Sequence, residues 1–317
     1  MKKKINFKFQ NKNYMNNWYG LKIIIKFFVL IFPFYNSLLA NLLKNLLKEK
    51  SFVLRRIPIK NTLVRLIVND NEVFLNNPNY DHIAKEIWWC NSKRFPSNDQ
   101  KALEIFSSLS CQMDCLLDIG CNNGMFSILA AKANPEIKVY AFDILPVAIK
   151  LINENIVSND VADKVFSQLM GISDHDGNLT MPEKNYSSSI PTSYSTNFNF
   201  KKGIKVKLIT LDKLSELFNL RNMKNILIKI DVEGTEDNIF KSGMNFLSSK
   251  KPIILCEILS NSNTKLISKL LKDLSYNFYL IKDKGLEQRK ELLPNKEFRD
   301  WIFINKEKDL KILGIIN

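Results

Sequence analysis

The run Leu116-Leu117-Asp118-Ile119-Gly120-Cys121-Asn122-Asn123-Gly124-Met125-Phe126-Ser127 constrains the fold of this 317-residue chain more than any other stretch. An apolar strand delivers a carboxylate, a glycine turn follows, and a helical pattern begins. A second apolar run, Val139-Tyr140-Ala141-Phe142, ends on Asp143, 25 residues after Asp118. This is the plan of a nucleotide-cofactor site at the mouth of a parallel sheet. Glycines let the backbone approach a ligand closely, and the following helix starts there. The acid closing the second strand is placed to hydrogen-bond ribose hydroxyls. The bland alternative is a generic strand-turn-helix corner.

The missing glycine narrows the cofactor. A dinucleotide fingerprint, G-x-G-x-x-G, brings a pyrophosphate onto the helix N-terminus. Here the spacing is Gly120-x-x-x-Gly124, and Asn122 stands where the middle glycine would be. Asp118, two residues before the first glycine, is expected to face the ligand with its negative charge. That suits a cationic amino-acid group better than a pyrophosphate. S-adenosylmethionine has an ammonium, a sulfonium and a ribose, and no phosphate. The same absence disfavours a nicotinamide oxidoreductase.

A later segment, Ile226-Leu227-Ile228-Lys229-Ile230-Asp231-Val232-Glu233-Gly234-Thr235-Glu236, is another apolar strand ending in carboxylates and glycine. Together with the 118–124 run it resembles the FkbM-type family of S-adenosylmethionine-dependent methyltransferases, which shows D-I-G-A-N-x-G-x-F-S early and K-I-D-V-E-G-x-E later. Cys121 replaces the usual alanine. Where that family more often has Glu-Pro, this chain has Asp143-Ile144-Leu145-Pro146, which keeps the acid on a shorter side chain. Thr210-Leu211-Asp212, Ile253 to Ile258 and Trp301 to Ile304 extend the resemblance over roughly residues 75–305. It implies a Rossmann-like class I methyltransferase fold, with a mostly parallel seven-stranded sheet. It also implies cofactor contacts from Asp118, Gly120, Cys121, Asn122, Gly124, Phe126, Asp143 and Ile144, and transfer to a hydroxyl of a sugar, glycan or small metabolite. The alternative is a catalytically inactive cofactor-binding partner of a membrane-associated glycan assembly system.

Methyl transfer to an aliphatic hydroxyl needs the acceptor proton removed, and a positioned base contributes roughly 10²–10⁴-fold. The candidates are Asp231, Glu233 and Glu257, each at or just beyond the end of a strand. Lys229 alternates onto the face of Asp231 and is placed to hold a carboxylate. Competing roles for the three acids are hydrogen bonds at helix starts and binding of a divalent cation, which is not expected. His175, in the turn Ser173-Asp174-His175-Asp176-Gly177, reads as a solvated loop residue rather than a base.

Chain order completes the picture. Residues 62–75 read as a hairpin, and helices are expected over Asp81 to Trp89 and Asn98 to Leu109. Strands at 115–119, 138–143, 164–171, 225–231 and 253–258 alternate with helical patterns, which implies a parallel sheet with helices on both faces. The runs 277–281 and 301–304 read as an antiparallel edge pair. The polar stretch from Met181 to Lys207, with Ser187-Ser188-Ser189 and Tyr194, reads as a loop able to act as a lid. Five cysteines without framework spacing and only two histidines fit reduced thiols rather than a zinc site.

The chain is expected to divide into a basic apolar helical extension over 1–60, a hairpin and helices over 61–110, and a methyltransferase domain over 111–317. Residues 1–66 hold fourteen Lys or Arg against one acid, Glu49, and the remainder is nearly neutral. The basic residues flank an uncharged stretch, Phe27 through Leu43, too short and too broken by Pro33 for a confident span of the ~30 Å bilayer core. Residues 1–50 therefore read as a helical extension on an anionic membrane surface, the alternative being a cap packed on the core. Nucleic acid is not an expected partner. The expected location is cytoplasmic, peripheral on the inner face of the membrane in the first reading.

Overall fold

The computed structural model describes residues 61–183 and 194–308 except residue 96, and the single positions 59, 312 and 314. The basic extension and its membrane reading lie outside the described residues apart from Ile59, and so does Ser187–Ser189.

The chain opens with the antiparallel hairpin β1 (Leu63–Val68) and β2 (Asn71–Asn76). Its turn, Asn69-Asp70, has both residues at positive φ, the conformation that matches a tight turn to strand twist. Helix α1 (His82–Trp89) starts where the Asp81 carboxylate accepts from the Ile83 and Ala84 amides. Helix α2 (Ser97–Ser110) leads into β3 (Cys115–Ile119), α3 (Met125–Ala133), β4 (Lys138–Asp143), α4 (Pro146–Ser158) and β5 (Val165–Ile172). Then come β6 (Gly177–Met181), β7 (Ile204–Ile209), α5 (Leu211–Leu217), β8 (Ile226–Ile230), α6 (Glu236–Ser242) and α7 (Met244–Lys250). The chain closes with β9 (Ile253–Glu257), α8 (Thr264–Asp273), β10 (Tyr276–Lys282), β11 (Gly285–Arg289) and β12 (Asp300–Asn305).

The main sheet runs β11-β10-β12-β9-β8-β3-β4-β5-β7-β6. The six strands from β9 to β7 are parallel, and β6, β12, β10 and β11 are antiparallel to their neighbours. Ten strands replace the expected seven. The additions are β6, β7 and β11; β7 alternates lysine with Ile204, Val206 and Leu208, and β6 and β11 are short and partly polar. The loop expected up to Lys207 accordingly gives up Ile204–Lys207 to β7 and Met181 to β6.

Alternation along the central strands sorts the core into two layers. Cys115, Leu117 and Ile119 of β3 and Ile226, Ile228 and Ile230 of β8 pack with α5 to α8. Leu116 and Leu227 pack with the hairpin, α2 and α3 on the other face. Each fully buried Leu or Ile contributes about 1.5–3 kcal/mol, so the strands tolerate polar residues only near their ends. At those ends the second face carries Asp118, Lys229 and Glu257 in place of aliphatics. No helix among the described residues is long and apolar enough to cross a membrane.

Candidate active site

A cavity of about 700 Å³ opens over the C-terminal ends of β3, β4, β8 and β9. Gly120 ends β3 at φ +83°, and a Cβ there would lie 1.9 Å from the Asp231 carbonyl oxygen. Only glycine lets these two strand ends cross so closely. Gly124 has φ +77°, and its missing Cβ makes room for the Ile152 side chain of α4. The Asp231 amide donates to the Ile119 carbonyl at 3.0 Å, and the Gly120 amide to that of Phe142 at 2.8 Å. Backbone bonds thus carry the sheet beyond its last residues.

Asp143 closes β4 with both carboxylate oxygens occupied. Oδ2 accepts from the Asn122 amide at 2.9 Å and Oδ1 from the Leu145 amide at 2.8 Å. Burial pushes its pKa up to about 6 even against these two amides. Ile144, Met170, Gly171 and the returning segment Tyr194 to Thr196 line the cavity beside it. The Cys121 thiol is 5% exposed, and burial keeps it protonated.

The opposite side of the cavity is ionic. Lys229 donates to Asp231 Oδ2 at 3.1 Å, lies 3.9 Å from Asp118 Oδ1, and sits 4.8 Å from the Phe126 ring centroid. Burial works to discharge this ammonium, but Asp231 and Asp118 outweigh it and its pKa rises. Burial likewise raises Asp231, yet Lys229 and a hydrogen bond from Glu257 outweigh it, so Asp231 is held ionised. Glu257 is driven up by burial and by Asp231 and Asp300, and carries the proton of the pair. Glu233, at φ +58°, is raised to about 7 by burial, Asp231 and Glu236. Glu236 itself braces the turn, accepting from the Gly234 amide and the Ser262 hydroxyl at 2.8 Å each.

Nine of the residues expected in the site line this one cavity: Gly120, Cys121, Asn122, Phe126, Asp143, Ile144, Asp231, Glu233 and Glu257. Asp118 and Gly124 do not. Asp118 was expected to face the ligand; it shares a sheet face with Lys229, but α3 covers it through Ser127. It is fully buried there, accepting from the Ser127 hydroxyl at 2.6 Å, with its other oxygen lacking a hydrogen-bond donor. Burial raises its pKa. His175 is exposed and pairs with Asp174 at 2.8 Å.

Asp300, Arg94 and Asp99 also line the cavity, and none has a motif in the sequence. Asp300 opens β12 in register with Glu257 of β9. Arg94 bonds the fully buried Glu86 at 2.9 Å and also bonds Asp99. Only the antiparallel pairing of β12 with β9 could have pointed to Asp300.

One ligand oxygen from each of Asp231, Glu233 and Glu257 falls within a 4.8 Å cluster. Oxygens so placed could hold a hard divalent cation. Lys229 at 3.1 Å from Asp231 and Arg299 at 3.6 Å from Glu257 already supply positive charge there. The cluster is therefore better matched to proton transfer and hydrogen bonding than to a metal.

The Methyltransferase FkbM domain family matches residues 118–278. No curated protein matches the chain. Among solved structures it is similar to the methyltransferase FkbM from Methylobacillus flagellatus KT, with 12% identity and a TM-score of 0.41. That match covers 60% of this chain, which spans 43% of the other's length. A SAM-dependent methyltransferase from Agrobacterium tumefaciens matches with 10% identity and a TM-score of 0.43, over 78% of this chain and 71% of that one. An O-methyltransferase of a trans-AT PKS multienzyme of Brevibacillus brevis, in complex with S-adenosyl-L-homocysteine, matches with 15% identity and a TM-score of 0.33, over 58% and 56%.

Proposed function

We propose, for a chain that belongs to the FkbM methyltransferase family, that it methylates a hydroxyl on a sugar, glycan or small metabolite. The observation that supports this reading is the carboxylate group Asp231, Glu233 and Glu257 on the cavity wall, next to the Gly120 turn.

The cofactor side is the half around Asp143. Gly120, Asn122, Asp143 and Ile144 would hold S-adenosylmethionine there, with the ribose against Asp143. The fit rests on the close approach that Gly120 permits and on an acid aimed at the cavity without a buried cation of its own. Bound S-adenosylmethionine supplies a methyl group already activated by a sulfonium, so the protein's task is to position and to move a proton.

The acceptor hydroxyl enters from the Asp231 side. Ionised Asp231, fixed by Lys229, orients it by hydrogen bonding. Glu233, whose pKa of about 7 suits a base at neutral pH, would take the acceptor's proton, so that the hydroxyl oxygen could receive the methyl group that the sulfonium would give up. Glu257 holds the Asp231 carboxylate in place through the shared proton.

The test is a thermal shift with S-adenosylhomocysteine and with NAD. The first should raise the Tm and the second leave it unchanged; stabilisation by NAD alone would overturn the assignment.

A further inference from the structure

We infer that Asn155 of α4 is a positioning residue for the cofactor turn, acting through the backbone of Asn123. The inference rests on S-adenosylmethionine binding at Gly120–Gly124. Asn155 is fully buried, and its Nδ2 donates to the Asn123 carbonyl at 2.8 Å. Its Oδ1 accepts from the Asn76 amide at 2.6 Å and from the Asn76 side chain at 3.2 Å. Asn123 completes the clamp: its Oδ1 caps the Met125 amide at 3.0 Å, and its Nδ2 donates to Asp81 Oδ2 at 2.5 Å. The turn is thus gripped from α4 on one side and from the start of α1 on the other.

The consequence reaches the ligand through one peptide unit. Asn122 precedes Asn123, has φ +48°, and donates its amide to the Asp143 carboxylate. Losing the bond to the Asn123 carbonyl leaves a buried acceptor unpaired and frees the turn to shift, which moves Asn122 off Asp143. The hairpin and the start of α1 lie before residue 118, yet through Asn76 and Asp81 they brace the cofactor turn.

Asn159 provides a control on the same helix, its Nδ2 also donating to the Asn155 backbone carbonyl at 2.7 Å. It lies one turn along from Asn155, is equally buried, and ties the same hairpin by bonds to the Phe74 amide and carbonyl at 2.8 and 2.7 Å. It makes no bond to the cofactor turn. Asn155→Asp keeps an acceptor for Asn76 but replaces the donor to Asn123 with a carboxylate oxygen that faces its carbonyl oxygen.

The experiment is calorimetry with S-adenosylhomocysteine on the full chain, well below each Tm, together with steady-state kinetics. N155D should weaken S-adenosylhomocysteine at least tenfold, from the lost hydrogen bond and the repulsion that replaces it. It should raise KM for S-adenosylmethionine and leave kcat nearly unchanged. N159A should lose comparable Tm with affinity within about twofold of the wild type. Wild-type affinity in N155D, or equal weakening in N159A, overturns the inference. Should N155D not fold, D81N carries the test, since its side chain keeps one acceptor, for the Ile83 and Ala84 amides, and turns an NH2 group toward the Asn123 Nδ2 donor: at least threefold weaker binding supports the inference and unchanged binding overturns it. A wild-type protein that binds no S-adenosylhomocysteine overturns the proposed function itself, a result distinct from any pattern among the variants.

Discussion

The wall of the cavity at Gly120–Gly124 is made of backbone, whereas the wall at Asp231, Glu257 and Asp300 is made of ionisable side chains. In the first, positive φ angles, two amides on Asp143 and strand-end hydrogen bonds fix the geometry within 26 consecutive residues. In the second, Arg94, Lys229, Glu257 and Asp300 arrive from four separate stretches and set each other's charge. A backbone wall gives a fixed shape for a cofactor shared by many reactions. A side-chain wall can be retuned for one acceptor by changing single residues.

The sharpest way to separate the two is to remove the base. Glu233→Gln should lower kcat roughly 10²–10⁴-fold. The wild-type rate should climb as pH rises through about 7, because Glu233 acts when deprotonated and its pKa lies there. That limb should vanish in E233Q. A pH profile identical in the two proteins would move the base elsewhere in the wall.

Lys229 is where the comparison is most easily broken, since it serves both walls, through Asp118 behind the turn and Asp231 in the cavity. Lys229→Met removes the cation from two buried acids, and breaking a buried pair costs about 3–5 kcal/mol. Denaturant unfolding should show that loss. A loss under about 1 kcal/mol would mean that Asp118 and Asp231 do not depend on a shared cation.

The difference between the walls also explains what the sequence could reveal. The β3-turn-α3-β4 unit is legible because its strand, glycines and closing acid are local and each has a steric or hydrogen-bonding reason. Lys229 and Asp231 are legible because one strand's alternation puts them on one face. The antiparallel pair β10 and β12 is legible from two apolar runs with no crossover helix between them. Asp118 was expected at the ligand because it lies two residues before the glycine, but α3 packs over it and Ser127 takes its carboxylate. Asp300, Arg94 and Asp99 are illegible because each reaches the cavity only through tertiary pairing. The edge strands β6 and β11 are missed because edges tolerate polar residues and lose the alternation that marks a strand, and β7, though it alternates, is missed because it follows directly on a polar stretch read as loop.

In the proposed division of the cavity, the Asp143 wall holds the cofactor and the Asp231–Glu233 wall handles the acceptor. Calorimetry with S-adenosylhomocysteine on Asp143→Ala and Glu233→Gln tests it directly. Asp143→Ala should weaken binding by about 1–3 kcal/mol, the usual loss for a hydrogen bond to a charged group. Glu233→Gln should bind as the wild type does. Equal weakening in both variants, or a wild-type affinity in Asp143→Ala, would contradict the division of the cavity on which the account rests.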